Sequence, residues 1–355
     1  MTLYSEKAQG SLLAAALGDG LGAFSECLHY RAVDKKLRSL PPKGYRGPVE
    51  YTDDTSLRLM IYDTIVEAKK IDAHELAKRW KQRVVDGRVF WTSELYVSAM
   101  ISMGRDPHQI GGTNIPADNA AMVADTFGVL YPCLEELAAL RAYETLSLCQ
   151  SGTGLEGAMS VAASVSAAMS PEPNLDLVLD ASQRHVGPEM KKRIERAVEI
   201  VERRSDPRQQ LYREVVVEDG TSDLVWSDLQ STRPSEMNQR LTGLRLRRED
   251  VSIGISPLEV VPIAVAYAVG SKRGILDTLK CAASFGRDSD TIAGITGSIL
   301  GAFHGKKVLR TTREILPAGL VEKSREISDG LQRLVQNNLL QVSNTSDAAR
   351  RLFAS

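Results

Sequence analysis

The chain has 355 residues, 43% of them hydrophobic, enough for a sizeable core in one large domain or two. A formal net charge of −1 excludes the broad basic field of a nucleic-acid binder, and no apolar run reaches the roughly 18 residues of a membrane span. Cys27, Cys133, Cys149 and Cys281 stand far apart with no CxxC pair or Cys/His cluster, so zinc is not expected and a reducing compartment is.

No basic-then-apolar leader opens the sequence, because Glu6 and Lys7 precede an Ala/Gly/Leu stretch broken by Asp19; a cytoplasmic location is expected. Apolar residues then recur every three or four positions, which predicts helices over Glu6–Phe24, Thr55–Lys69, Ala73–Val84, Glu135–Leu148 and Leu155–Met169. The same spacing predicts Pro188–Arg203, Pro257–Val269, Ile275–Ser284, Asp290–His304 and Val321–Gln336. Val215–Glu218 is the one short strand candidate. It lies in a polar stretch, about 204–256, punctuated by Pro207, Gly220, Pro234 and Gly243 and expected to be an irregular excursion. The organisation expected is a single all-α domain over 1–340 with a C-terminal tail at 341–355.

Two of these helices carry small residues at every fourth position: Gly10, Ala14, Gly18 and Gly22, then Gly297, Gly301 and Gly305. Residues four apart share one helix face. Glycine costs a helix interior roughly 1 kcal/mol relative to alanine, so a face built of it must gain from close backbone packing. Both helices are therefore expected to be central.

Acids stand at the ends of these helices, in "GDGLGAFSE" (Gly18–Glu26), "YTDDTSL" (Tyr51–Leu57) and "GRDSDTI" (Gly286–Ile292). Thr or Asp before a helix is an ordinary N-cap, and one acid there satisfies the free backbone N–H groups and the dipole. Here two helix starts, more than 200 residues apart in sequence, repeat the same set of carboxylates flanked by threonine hydroxyls. All are hard oxygen donors, which select Mg²⁺, Mn²⁺ or Ca²⁺ over zinc or copper. If the two starts converge, the cations would cancel the repulsion between adjacent carboxylates. Five scattered histidines show no Ser-His or Cys-His pattern, so no separate nucleophile is expected.

The blocks "GSLLAAALGDGLGAFSE", "YTDDTSLRLMIYDTIVE" and "GRDSDTIAGITGSILGAFHG" resemble, in order and spacing, the three signature blocks of the ADP-ribosylglycohydrolase family, which includes the dinitrogenase-reductase-activating glycohydrolases. "NAAMVADTFGVLYP" and "SGTGLEGAMSVAASVSAAM" resemble the family's middle blocks more loosely. The resemblance implies an all-α orthogonal helical bundle around two Mg²⁺ or Mn²⁺ ions, and hydrolysis of the glycosidic bond at an ADP-ribosyl ribose. It implies Thr52, Asp53 and Asp54 as metal ligands from one side and Asp288, Asp290 and Thr291 from the other, with Asp290 bridging. Glu26 follows "GDxxGxxxE" and is expected to gate the metals or move a proton. Asp54 and Asp288 are the other candidate catalytic carboxylates, and Asp19 is expected to hold the turn between helices.

The glycine-rich loops "GGTNIP" and "SGTGLEGA" offer backbone N–H groups before helices that can cradle phosphate. Gly112, Thr113, Asn114, Ser151 and Gly152 are accordingly the candidate substrate-binding residues. Trp91 and Tyr96 are candidates to stack on a base. The sequence departs from the family where a histidine commonly precedes the Gly157-Ala158 pair by eight residues, because Cys149 stands there. The family's "NGxAMR" is here "DNAAMV", with Asp118, Asn119 and Val123. The expected partner is an ADP-ribosylated protein or a small ribosyl metabolite, with no nucleic acid and no membrane. The alternatives are an inert nucleotide-binding or structural member and a metal phosphohydrolase acting on the pyrophosphate.

Overall fold

The computed structural model of the chain describes residues 1–85, 92–216 and 247–352. Its longer helices are α1 (Leu3–Gly22), α2 (Asp53–Ala68), α3 (Ala73–Val85), α4 (Thr92–Ser102), α5 (Glu135–Leu146) and α6 (Thr153–Ala168). They continue as α7 (Leu175–Arg184), α8 (Pro188–Arg203), α9 (Pro257–Gly270), α10 (Ile275–Ala283), α11 (Ser289–His304) and α12 (Ala318–Leu352). The fold is all-α, and the described residues form no strand beyond the isolated bridges Leu28–Val251 and His29–Gly286. No described helix is long and apolar enough to cross a membrane.

The centre of the molecule is the pair α1 and α11, both buried on every side. Their glycine faces meet. A Cβ on Gly18 would collide with the Ala293 carbonyl, and one on Gly297 with the Ala14 carbonyl, so the two backbones touch where side chains would normally separate them. Ser11 adds a hydrogen bond across the pair, donating to Ser298 O at 3.0 Å. Around this pair pack α9, α10 and α6, with α8 behind α9 and α5 behind α6. Helix α2 leans on both α1 and α12.

The helix starts follow capping chemistry. Thr2 accepts from Ser5 N at 3.2 Å at the head of α1. Asn174 accepts from Asp176 N at 2.7 Å at the head of α7, and Pro188 and Pro257 supply the first turns of α8 and α9. Each helix predicted from apolar spacing is present with ends displaced by a few residues, except the last, expected over Val321–Gln336, which runs on to Leu352. Two long helices, α4 and α7, lie outside the predicted set.

The strand candidate Val215–Glu218 is not a strand where it is described. Val215 closes the short helix Arg208–Glu214, its N–H donating to Leu211 O at 2.8 Å. Residues 217–246, most of the expected excursion, lie outside the described residues, as does Trp91. Arg248–Asp250 is a 3-10 turn, followed by an extended run to Ser256. The expected tail boundary at 341 falls inside α12, which runs through it unbroken to Leu352.

Candidate functional site

Helix α2 begins at "TDDT" because Asp19, projecting from the last turn of α1, collects its first-turn donors. Asp19 is fully buried. One of its oxygens accepts from Thr52 N at 2.9 Å and Thr52 Oγ1 at 2.7 Å, and the other from Thr55 N at 3.0 Å and Thr55 Oγ1 at 2.5 Å. Asp19 therefore holds the helix start, while Asp53 and Asp54 in the first turn line the cleft. Burial raises the Asp19 pKa, and its four hydrogen bonds and the nearby Arg58 oppose the rise.

Helix α11 begins at "DSDT" beside it. Ser289 Oγ donates to Gly22 O at 3.0 Å, fastening this turn to the end of α1. Asp288 is the N-cap residue by position, but its side chain makes no capping bond. Arg287, one position earlier, sits in the left-handed region at φ 57°. Its guanidinium is paired with Glu259 at 2.5 and 3.0 Å and donates to Ser252 Oγ at 2.8 Å. Both ends of that ion pair are buried, so the loop before Asp288 is clamped to α9 and to the extended run after Asp250.

The two starts meet. Thr291 Oγ1 donates to Asp54 Oδ2 at 2.9 Å, and Thr52 Oγ1 lies 3.4 Å from Asp290 Oδ2. Asp53, Asp54, Asp288, Asp290 and Thr291 line one cleft of about 100 Å³, and Glu26 lines it from the turn after α1. Thr52 sits behind them, buried, between Asp19 and Asp290. All the expected ligand positions and all three expected catalytic carboxylates are thus brought to one place.

The electrostatics of the cleft are those of crowded acids. Burial, then repulsion from Asp53, Asp288 and Asp19, raises the Glu26 pKa well above the usual carboxylate range. Burial, then Asp290, does the same to Asp54; burial, then Asp118, does it to Asp288; burial, then Glu26, does it to Asp290. A protein interior tolerates such a set only if protons or cations balance it. The buried cations beside the acids are committed elsewhere, Arg58 to Asp125 at 2.8 Å and Arg287 to Glu259.

The donor set therefore fits a hard divalent cation: six oxygen-bearing residues, no imidazole or thiolate among them, and a field that attracts positive charge. Among the described residues no three His, Cys, Asp or Glu side chains are drawn together into a finished cage. Asp54 and Asp288 instead engage Thr291 and Asp118.

The cleft also holds residues to which sequence reasoning gave no role. Asp118 faces Asp288, and burial pushes its pKa up to about 8. Asn119 is 4% exposed, and neither its amide nitrogen nor its oxygen has a hydrogen-bond partner among the described residues. Both lie in "DNAAMV", where a departure from the family pattern was the only signal. Ile115, Met122, Ile253 and Ile255 supply an apolar wall.

The five candidate substrate-binding residues lie apart from this lining. Asn114 spends its amide on Ser93 O at 3.2 Å and Cys149 O at 2.9 Å. Thr113 Oγ1 accepts from Tyr96 OH at 2.6 Å and donates to Ile110 O at 3.0 Å. Gly112 is in the same 3-10 turn, and Ser151 and Gly152 precede α6, Gly152 at φ 50°. The two loops are joined by Gln150 Nε2 donating to Ile115 O at 3.0 Å. The side chains of Thr113, Asn114 and Gln150 are thus spent within and between these loops. Cys149 is fully buried, its thiol donating to Leu146 O at 3.3 Å. His29 packs against Tyr30 and Tyr212 outside the cleft.

The sequence pattern of the ADP-ribosylglycohydrolase family matches residues 1–349. The chain belongs to the ADP-ribosylglycohydrolase family. It is 25% identical over 330 residues to the ADP-ribosylhydrolase ARH3 of Xenopus tropicalis, covering 84% of this chain and 87% of that one. It is also 25% identical to the uncharacterised protein YegU of Escherichia coli, with 85% and 89% covered. An uncharacterised protein of Archaeoglobus fulgidus is 24% identical, with 84% and 87% covered. A solved structure of an ADP-ribosylglycohydrolase-related protein complex superposes with a TM-score of 0.64 at 15% identity, spanning 94% of this chain and all of that one. The fold is therefore the family's all-α fold, and membership supports a glycohydrolase-type function.

Proposed function

We propose that the acidic cleft hydrolyses the C1 glycosidic bond of an ADP-ribosyl or related ribosyl compound. In this reading Thr52, Asp53, Asp54, Asp288, Asp290 and Thr291 hold two Mg²⁺ or Mn²⁺ ions. The observation that carries it is the meeting of the two helix starts, Thr291 on Asp54 at 2.9 Å, from segments 237 residues apart in sequence. When bound, the ions would supply positive charge among the carboxylates, a grip on adjacent ribose hydroxyls and a lower pKa for water.

The chain's own groups supply the rest. Glu26 lines the cleft beside the acids from the turn after α1, where its carboxyl can protonate the leaving group. Asp54 and Asp288 face the same space, and either carboxylate can take the proton from the attacking water. Asn119, with both ends of its amide unspent, is placed to bind a sugar hydroxyl. The transition state of glycoside cleavage is oxocarbenium-like, and the surrounding carboxylates favour positive charge at C1. The wall of Ile115, Met122, Ile253 and Ile255 narrows the cleft around a ribosyl group.

The test is product analysis with ADP-ribosyl-arginine, ADP-ribose and simple nucleosides, each with added Mg²⁺ or Mn²⁺. Release of free ADP-ribose or ribose supports the proposal. AMP release from ADP-ribose would assign a phosphohydrolase, and absence of both turnover and metal binding in titration would assign an inert member.

A further inference from the structure

A second cavity, of about 300 Å³, lies on the far side of α9 and α10, and no residue lines both it and the acidic cleft. It opens where α8 and α9 end. Arg203 and Arg204 border it from the end of α8, and Lys272 and Arg273 from the loop after α9. Tyr267 of α9 lies in its wall.

The groups there are donors in want of an acceptor. Tyr267 is 1% exposed, yet its hydroxyl has no hydrogen-bond partner among the described residues. Cys281 and Arg273 line the same cavity. Asp206 is occupied by Arg208, at 2.8 Å. Arg273 donates only to a backbone carbonyl, Ser205 O, at 2.7 Å. Arg203 is paired with Glu199 at 2.6 Å, whereas Arg204 and Lys272 make no ion pair among the described residues. With Arg203 neutralised by Glu199, the three cations Arg204, Lys272 and Arg273 face one lining acid, Glu202, and the ends of two helices. Each helix end carries roughly half a negative charge, so a surplus of positive charge remains.

We propose that this cavity is a binding site for a phosphate-sized oxyanion, free or as the phosphomonoester end of a small metabolite. One such group provides the acceptor that the Tyr267 hydroxyl lacks and the charge that Arg204, Lys272 and Arg273 lack, through charge-assisted bonds. The site does not depend on the reading of the acidic cleft.

The test titrates the full chain with inorganic phosphate and, separately, with ribose 5-phosphate, reading heat and melting temperature. Saturable binding with a rise in melting temperature is expected. It should weaken roughly tenfold or more in Arg273→Gln with Lys272→Gln, the loss of a charge-assisted contact. In Tyr267→Phe binding weakens as well, while the anion-free protein melts no lower than wild type, because the hydroxyl removed had no partner. Tighter binding of the ester assigns the site to a phosphorylated metabolite, and equal or tighter binding of the free ion assigns it to phosphate; each supports the shared chemistry. No saturable binding by wild type, or binding undiminished in both variants, overturns the proposal.

Discussion

Gly22→Ala tests the link between the helix pair and the cleft. Gly22 ends α1 against the first turn of α11. A Cβ built there lies under 3.0 Å from Asp290 N, Asp290 Cα and Ser289 O, where ordinary contact begins at 3.4 Å. The obstacles are backbone atoms, so no side chain can swing aside. The turn bearing Asp290 must retreat by about 1 Å to restore contact distance. Overpacking of this kind costs typically 1–3 kcal/mol, and a backbone obstacle places it at the upper end. Alanine returns about 1 kcal/mol of helix propensity, leaving a net loss of about 2 kcal/mol. At roughly 2 °C per kcal/mol for a large chain, the melting temperature should fall by about 4 °C. A site needs its groups within about 0.5 Å of position, so Mn²⁺ affinity by titration calorimetry should fall by an order of magnitude or more. Gly319→Ala is the control. Nothing lies within 4 Å of a Cβ there, at the start of α12, and stability should hold or rise. A Gly22→Ala protein that melts and binds Mn²⁺ like wild type would refute the reasoning.

Other expectations follow from the same geometry. Asp290→Asn should abolish activity and most divalent-metal affinity while the far-UV circular dichroism stays that of wild type; retained activity would overturn the ligand assignment. Asp19→Ala strands four donors, two N–H groups and two hydroxyls of Thr52 and Thr55; with buried donors costing about 1–3 kcal/mol each when unpaired, denaturant unfolding should show a loss of at least about 3 kcal/mol. Arg58→Met leaves Asp125 as an uncompensated buried carboxylate, a change that costs about 3–5 kcal/mol and should appear in the same denaturant assay. The raised pKa values of Glu26, Asp54, Asp118, Asp288 and Asp290 mean that the folded metal-free protein binds more protons than the unfolded chain. Their stabilisation is complete below the unfolded carboxylate pKa of about 4 and is lost as pH rises through the folded values, about 8 for Asp118. Metal-free stability should therefore fall from pH 5 to pH 8, less steeply in Asp118→Asn, and added Mg²⁺ should restore it. A flat or rising profile without metal would contradict this.

Much of the architecture was legible because these helices bury apolar stripes, and a stripe is a pattern along the chain. Pro188–Arg203 shows it most simply: Met190, Ile194, Ala197, Val198 and Val201 face inward. Helix α4 was missed because three turns of mixed apolar and small residues give the period too few repeats. The glycine faces of α1 and α11 correctly announced close packing, since glycine at fourfold spacing has little other use. The convergence of "TDDT" and "DSDT" was not legible from spacing, because it depends on how α1, α2 and α11 cross; only the family resemblance anticipated it. Asp118 and Asn119 lacked any repeated pattern, and their burial in the cleft is a property of tertiary placement. In the glycine loops Asn114 and Thr113 satisfy neighbouring backbone and side-chain groups, a need that composition alone does not reveal.

The parts of the cleft also leave the ribosome at different times. Asp54 and its eventual partner Thr291 are 237 residues apart, an interval of roughly 10–50 s at about 5–20 residues per second. For that whole period α1 exists without the surface that its glycines fit, and Asp54 without the hydroxyl that it accepts from. A nascent or truncated chain that stops before Asp288 holds Glu26, Asp53, Asp54 and Asp118 but lacks Asp288, Asp290 and Thr291, so the two sides of the cleft cannot meet until α11 has been made.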